Sequence, residues 1–137
     1  MREIKFRAWD KEKGFMFIPT SIEISQGNNF QKWDGWKPMA WRDETPSEGS
    51  GGIGRFIGEE CEIMQSTGLT DQANNEIYIG DIVSYSGPYT KYEVIINPIT
   101  QIPVLDNEQG MENLHLVNKE VVVIGNVYEH PHLLTTT

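Results

Sequence analysis

The chain has 137 residues, a length that fits one domain or two very small β units sharing a core. Its content of 38% hydrophobic and 23% charged residues is typical of globular proteins and excludes wholesale disorder. Its single cysteine, Cys61, excludes an internal disulfide, and no apolar run approaches the length needed to span a membrane. No signal peptide is evident at the N-terminus, so we expect a soluble intracellular protein.

The formal net charge of −9 is unevenly distributed along the chain. Residues 1–14 carry five basic and three acidic side chains, whereas residues 61–137 carry two lysines against ten carboxylates. Nucleic-acid binding depends on Lys and Arg side chains that neutralise phosphates, so most of this chain would repel DNA or RNA. Nucleic acids and anionic membranes are therefore not the expected partners.

The N-terminal segment predicts a β-hairpin. Residues 4–9 alternate apolar and polar side chains, as in a half-buried strand. Residues 10–14 (DKEKG) supply a loop that ends on a glycine, and residues 15–18 return as the second strand. Residues 22–24 predict a further short strand.

Residues 25–60 lack a regular apolar period but contain an unusual group of aromatic side chains. Its members are Phe30, Trp33, Trp36 and Trp41. One interpretation is that these rings pack onto a sheet and supply the core of a poorly patterned segment. The other is an exposed recognition patch, since Trp is enriched at binding hot spots, and on this interpretation the four residues are candidate binding contacts.

Residues 61–85 (CEIMQSTGLTDQANNEIYIGDIVSY) organise the chain as strand, polar turn, strand, tight corner and strand. Gly80-Asp81 suits a sharp bend between two apolar runs, because Gly tolerates positive φ and Asp can accept hydrogen bonds from its own backbone. The predicted structural turn residues are Gly68, Asp71, Gly80, Asp81 and, further along, Gly125.

The chain after this stretch predicts more short strands. Residues 91–96 alternate as one strand, and Pro103 confines the next piece to an edge or a bulge. Residues 106–113 are predicted to be a polar loop and residues 114–117 a short strand.

The last predicted strand is the most β-branched segment of the protein. Residues 121–128 (VVVIGNVY) predict a buried central strand, and the glycine within them indicates a bulge. Residues 130–134 predict one helical turn.

Five or so short strands across residues 61–128, with no sustained helical period, predict a mainly β fold with little helix. We expect an N-terminal β-hairpin plus a small, strongly bent SH3-like β-barrel. The predicted organisation is a region 1–60, which holds the hairpin and the Trp-rich and Gly-rich segment, and a region 61–137, which forms the barrel packed with it.

Three sequence blocks resemble the YopX family of phage and prophage proteins. They are MREIKFRAWD at residues 1–10, MQSTGLTD with EIYIGDIV within residues 64–83, and VIGNVYEHPHLL at residues 123–134, together about a third of the chain. The resemblance implies a small, mainly β protein encoded by bacteriophages or prophages and acting in the bacterial cytoplasm. It implies no activity and carries over no catalytic residues.

No pattern of catalytic or metal-ligating residues is evident in the sequence, so we expect no catalytic residues, no metal and no cofactor. The histidines are too dispersed for a metal site, and Cys61 begins an apolar strand with no neighbouring base, which favours a buried, inert thiol. The acidic residues of the recurring blocks lie at turns, where Asp caps backbone N–H groups, and these are Asp10, Asp71 and Asp81.

Three functional hypotheses follow from the sequence. The first is a non-enzymatic accessory protein that binds a host protein or a second copy of itself. The second is a nucleic-acid-associated SH3-like module, an analogy of fold, whose contacts would come from the basic N-terminal strand. The residues of that strand are Arg2, Lys5, Arg7, Lys11 and Lys13. The third is an enzyme of unrecognised type.

Overall fold

The computed structural model describes residues 5–24, 38–43, 51–87 and 89–134. Contacts divide the chain into two compact units, one from Phe6 to Met64 and the other formed by Lys5 and the described residues from Gln65 onward. In the described residues the strands are β1 (Phe6–Asp10), β2 (Phe15–Phe17), β3 (Ser21–Glu23), β4 (Met39–Arg42), β5 (Ile53–Phe56), β6 (Cys61–Thr70), β7 (Glu76–Tyr78), β8 (Asp81–Ser84), β9 (Lys91–Ile96), β10 (Pro103–Asn107), β11 (Gly110–Asn113) and β12 (Val122–Asn126).

Helix is confined to short pieces in the described part of the chain. They are α1 (Leu114–Val117) and two 3-10 turns at Asn118–Glu120 and Pro131–Leu134. None of these is long and apolar enough to cross a membrane.

The Phe6–Met64 unit contains the predicted hairpin. β1 and β2 pair antiparallel with Ala8 opposite Phe17, and the turn between them closes with a 2.8 Å hydrogen bond from the Gly14 N–H to the Asp10 carbonyl. Gly14 has φ +75°, a conformation that glycine adopts without strain. Residues 6–9 of the predicted strand lie in β1, where Ala8 and Asp10 are buried, so the alternation identifies the described part of the strand correctly.

A three-stranded antiparallel sheet in the order β3-β4-β5 completes this unit. Trp41 lies opposite Gly54 in the register of β4 and β5, and Ala40 lies opposite Arg55. The core of the unit is small and is formed by Ala8, Phe17, Ala40 and Cys61. Alternation in β4 thus turns Ala40 into the core and places Trp41 on the other face.

The other unit is built on a five-stranded antiparallel sheet in the order β11-β10-β9-β8-β12, which curls as a half-barrel. Strands β8 to β11 form a meander, and β12 returns to pair with β8. The core side chains on its inner face are Ile77, Val83, Val94, Leu105, Leu114 and Val121. The predicted mainly β fold, with an N-terminal hairpin, a strongly bent sheet and little helix, is confirmed.

Two local predictions in this unit are wrong. Residues 106–113 do not form a loop, because β10 and β11 make a hairpin around a turn at Asn107–Gly110. Backbone hydrogen bonds hold the polar strand β11 there, although its side chains are all exposed. Residues 114–117 form helix α1 rather than a strand, with only Leu114 buried.

The positions of two strands in the sheet also differ from expectation. β10 is an interior strand between β9 and β11, and Pro103 is tolerated because it is the first residue of the strand. β12 is the last strand of the sheet rather than a central one, and Ile124 within it is exposed. The β-branched run reflects the need to bury Val121 and to pair with β8, not burial on both faces.

Candidate functional site

Asp10 is buried in the Phe6–Met64 unit, in contact with two arginines. Its Oδ2 lies 3.3 Å from Nη2 of Arg42 and 3.0 Å from Nε of Arg55. Its Oδ1 accepts hydrogen bonds from the backbone N–H groups of Glu12 and Lys13. Burial alone would raise the pKa of Asp10, but the Lys13 N–H and the Arg55 guanidinium outweigh it, and the pKa is lowered. Donors of the unit itself therefore engage both carboxylate oxygens of Asp10.

Asp71, in the other unit, is likewise a buried carboxylate that accepts several hydrogen bonds. Its Oδ1 accepts hydrogen bonds from the N–H groups of Ala73 (2.9 Å) and Asn75 (2.8 Å), and its Oδ2 accepts from the Val123 N–H (2.9 Å). Burial would raise its pKa, but these backbone donors lower it. Asp81 is also fully buried, and its Oδ2 accepts a 2.8 Å hydrogen bond from the Tyr78 N–H.

The three glycines named as turn residues lie where the backbone departs from regular pairing. Gly68 (φ +80°) lies within an irregularity of β6, between the Ser66 and Thr70 pairs. Gly80 (φ +98°) forms the corner before β8. Gly125 lies at a register shift in β12, where an added Cβ would lie 2.7 Å from Nδ1 of His130.

Of the four aromatic residues named as binding contacts, Phe30, Trp33 and Trp36 lie outside the described residues. Trp41 is half-buried, and its indole lies over Gly54, where a Cβ would come within 3.0 Å of the ring. A glycine beneath an aromatic side chain on the neighbouring strand is a packing arrangement that stabilises a sheet. Its role as a binding contact stays a prediction.

The cysteine and the histidines do not assemble a reactive centre in the described residues. Cys61 is fully buried, and burial together with the nearby Asp10 carboxylate raises the pKa of its thiol to about 11. Across the described ranges, no group of three His, Cys, Asp or Glu side chains could hold a metal ion.

A pair of tyrosines distinguishes the inner face of the five-stranded sheet. The rings of Tyr85 and Tyr92 lie 6.1 Å apart at 56°, and both are half-buried against the core. Burial raises the pKa of Tyr85, and the carboxylates of Glu120 and Glu112 raise it further. Two exposed carboxylates therefore act on the same phenol group.

Strand β11 forms one end of this sheet, and all four of its residues are exposed. Met111 within it is 53% exposed, and Leu116 in the adjoining helix α1 is 69% exposed. The turn that carries Ile99 is fixed beside β11, because Nδ2 of Asn97 lies 3.9 Å from Sδ of Met111. Ile99 itself is 89% exposed. We call the strand and these apolar side chains the β11 edge: Gly110–Asn113, Ile99 and Leu116.

Neither the β11 edge nor the tyrosine pair was predicted as a site from the sequence. Glu112 and Met111 fell within a predicted loop, and the two tyrosines fell in separate strands with no motif between them. Only the pairing of β9, β10 and β11 brings these residues onto one sheet. A period of two in the short run GMEN was the only signal available, and four residues are too few to establish it.

A sequence profile of the family described as YopX protein matches residues 5–135. This chain belongs to the YopX family. The family resemblance of the three sequence blocks is thereby confirmed. No protein among the curated sequences matches the chain.

Two solved structures are similar over nearly the whole chain. Protein yopX from Bacillus subtilis is 17% identical, with a TM-score of 0.61, and the match covers 100% of this chain and 99% of that one. Protein EF1440 from Enterococcus faecalis is 23% identical, with a TM-score of 0.59, and the match covers 98% of this chain and 100% of that one. At these identities the similarity shows a shared fold.

Proposed function

We propose that this YopX family member is an accessory protein of a bacteriophage or prophage that binds another protein in the cytoplasm of its bacterial host. The bound protein is a host factor or a second copy of this chain, and no reaction is catalysed. The observation that supports this proposal is the β11 edge, an open strand with exposed apolar side chains on and beside it.

A strand at the end of a sheet has a row of backbone N–H and C=O groups directed away from its single neighbour, and an extended segment of another protein can pair with them. Natural edges are commonly protected by charged side chains, especially Lys, or by Pro. β11 (Gly-Met-Glu-Asn) has no Lys or Pro, and its one charged side chain is Glu112. Exposed apolar side chains at Met111, Ile99 and Leu116 would add contact area beside the paired backbone.

The nucleic-acid alternative has less support, because three of its five basic residues already contact other side chains, and Arg2 lies outside the described residues. Nζ of Lys5 lies 3.3 Å from Oε1 of Glu76, and Nζ of Lys11 lies 2.7 Å from Oε1 of Glu62. Nε of Arg7 contacts Sδ of Met64 at 3.4 Å. These ion pairs reduce the positive charge that the N-terminal strand could offer to phosphates.

The test is capture of partners by tagged wild-type chain from host cells, with nuclease present, compared with the variant Met111→Lys/Leu116→Lys. We expect a protein that survives nuclease and is lost from the variant, because two lysines would put unpaired charge into the interface. Ile18→Lys is the matched control, since Ile18 is 67% exposed in the other unit.

Two results would count against the proposal. One is a partner retained equally by the β11 variant, and the other is a partner that disappears with nuclease. Analytical ultracentrifugation of the purified chain and of the variant separates self-association from binding of a host protein.

A further inference from the structure

The tyrosine pair lies on the inner face of the sheet, and it is held in place while remaining accessible. Tyr85 and Tyr92 pack against the buried core cluster, yet each is partly exposed. Their rings are tilted, with centroids 6.1 Å apart. The face of an aromatic ring carries partial negative charge and attracts cations.

Strand register places one carboxylate on this face. Leu105 pairs with Val94 on one side and with Glu112 on the other, so these three side chains point to the same face of the sheet. Tyr92, two residues before Val94, shares that face. Glu112 therefore extends from the β11 edge on the side of the tyrosines.

The second carboxylate comes from the 3-10 turn before β12. Val122 pairs with Ser84, so the preceding residue, Val121, comes opposite Tyr85. Glu120 ends the 3-10 turn immediately before that position. The upward shift in the pKa of Tyr85 by Glu120 and Glu112 agrees with this placement.

The negative charge on this face has no counter-charge in the described residues. Neither Glu112 nor Glu120 forms an ion pair there, although both are exposed. The described lysines of this unit have other partners. Lys5 forms an ion pair with Glu76, Lys91 pairs with Ser84 on the opposite face, and Lys119 is bonded to Thr70. Two aromatic rings beside two unneutralised carboxylates suit a positively charged group.

We propose that Tyr85, Tyr92, Glu112 and Glu120 form a recognition site for a Lys or Arg side chain carried by an extended segment that pairs with the β11 edge. This inference rests on the proposed function. Side chains of an added strand share the face of the residues opposite them. A residue opposite Glu112 would point to the tyrosines, and its neighbours would point to the face of Met111. The preferred segment therefore alternates basic and apolar residues.

The probe is a short fluorescein-labelled peptide that alternates valine and lysine, with valine–threonine and valine–glutamate peptides as comparisons. Fluorescence anisotropy measures the Kd of each for the full chain at low salt. We expect the valine–lysine peptide to bind about tenfold more tightly than the valine–threonine peptide, and the valine–glutamate peptide to bind least. Absence of valine–lysine binding at millimolar peptide would overturn the inference.

Charge variants distinguish binding of the peptide at the proposed site from its general electrostatic attraction to an acidic protein. Glu112→Gln/Glu120→Gln should raise the Kd of the valine–lysine peptide about tenfold and leave that of the valine–threonine peptide unchanged. Glu108→Gln is the matched control, because Glu108 is an exposed carboxylate in the β10–β11 turn and should leave both values unchanged. An equal effect of Glu108→Gln would contradict a specific site.

The variant Met111→Lys distinguishes strand pairing at the β11 edge from recognition of a cation by the tyrosines and glutamates. If it abolishes binding of every peptide while the glutamate variants change nothing, the β11 edge stands and the cation site fails. If the glutamate variants weaken binding and Met111→Lys does not, a cation is recognised without strand pairing, and the proposed use of the β11 edge fails.

Discussion

The carboxylate of Asp71 accepts a hydrogen bond from the backbone N–H of Val123 at 2.9 Å, joining the turn after β6 to strand β12. The same side chain accepts two further N–H groups within its own turn. A second link runs from the Gln72 N–H to the Val121 carbonyl at 2.9 Å. One buried carboxylate therefore joins the turn after β6 to the end strand of the five-stranded sheet.

Replacing Asp71 by Asn should destabilise the protein by about 2 kcal/mol. An amide has one acceptor oxygen in place of two and loses the negative charge, so at least one buried N–H would be left without an acceptor. Urea unfolding measures the change. Glu108→Gln, an exposed acid-to-amide change, should leave the free energy of unfolding almost unchanged. Equal stabilities of the two variants would show that the Asp71 hydrogen bonds contribute little to stability.

Asp71 also predicts how stability depends on pH. Its folded-state pKa lies below the ordinary value of 3.8, so its stabilisation is present above that pH and is lost as the pH falls through the lower, folded-state pKa. The free energy of unfolding of the wild type should therefore fall more steeply than that of Asp71→Asn between about pH 4 and about pH 2. Parallel curves for the two proteins would contradict the assigned shift.

The pKa shift of Glu93 predicts a pH dependence of stability opposite in sign to that of Asp71. Glu93 lies directly opposite Asp106 in the register of β9 and β10, and burial together with that carboxylate raises its pKa above 4.5. The protonated form is favoured in the folded state, so the benefit is present below the ordinary pKa and is lost as the pH rises through the folded-state pKa. Glu93→Gln should stabilise the protein at neutral pH by about 0.5 kcal/mol.

The gain from Glu93→Gln should disappear near pH 4, where the wild-type carboxyl is itself protonated. Glu112→Gln is the control, since Glu112 faces Leu105 rather than another carboxylate. Urea unfolding midpoints at both pH values measure the gain in stability. A gain that persists in acid would show that charge repulsion between Glu93 and Asp106 is not its cause.

The buried centre at Asp10 should respond unequally to loss of its partners. Asp10→Ala would leave the guanidinium of Arg42, which is 4% exposed, and that of Arg55 without this carboxylate, at a cost of about 3–5 kcal/mol. Arg42→Met should cost less, because Asp10 would keep Arg55 and two backbone donors. Thermal unfolding ranks the two variants, and the reverse order would refute this description of the centre.

Gly125→Ala should destabilise the protein by about 1–3 kcal/mol, because the new Cβ would lie 2.7 Å from Nδ1 of His130 and 2.9 Å from Cδ1 of Leu133. A double-mutant cycle with His130→Ala tests the cause. Removing the imidazole should make the Gly125 substitution less costly, and a strictly additive pair would indicate that the ring does not limit this position.

Local patterns predicted most of the strands, because side-chain alternation and turn chemistry depend on neighbouring residues. Lys91–Ile96 is a strand with the predicted bounds, and the Gly80-Asp81 corner lies where glycine and a capping carboxylate indicated a bend. The prediction for Leu114–Val117 was wrong because four apolar and polar residues fit one helical turn as well as a strand.

The candidate site depends on register, which the sequence does not specify for polar strands. Glu112 reaches the face of Tyr92 only because β11 pairs with β10 and β10 with β9. Glu120 ends a 3-10 turn that leads into β12, whose first residue, Val122, pairs with Ser84 beside Tyr85. These are pairings between short segments distant in sequence, and no local motif predicts them.

Amide hydrogen exchange of the full chain, with and without saturating valine–lysine peptide, tests whether an extended segment pairs with the β11 edge. If an extended segment pairs with the β11 edge, the outward-facing amides among Gly110–Asn113 should exchange about tenfold more slowly in the complex. Unchanged exchange at β11, or protection confined to the edge strands of the Phe6–Met64 unit, would contradict the account.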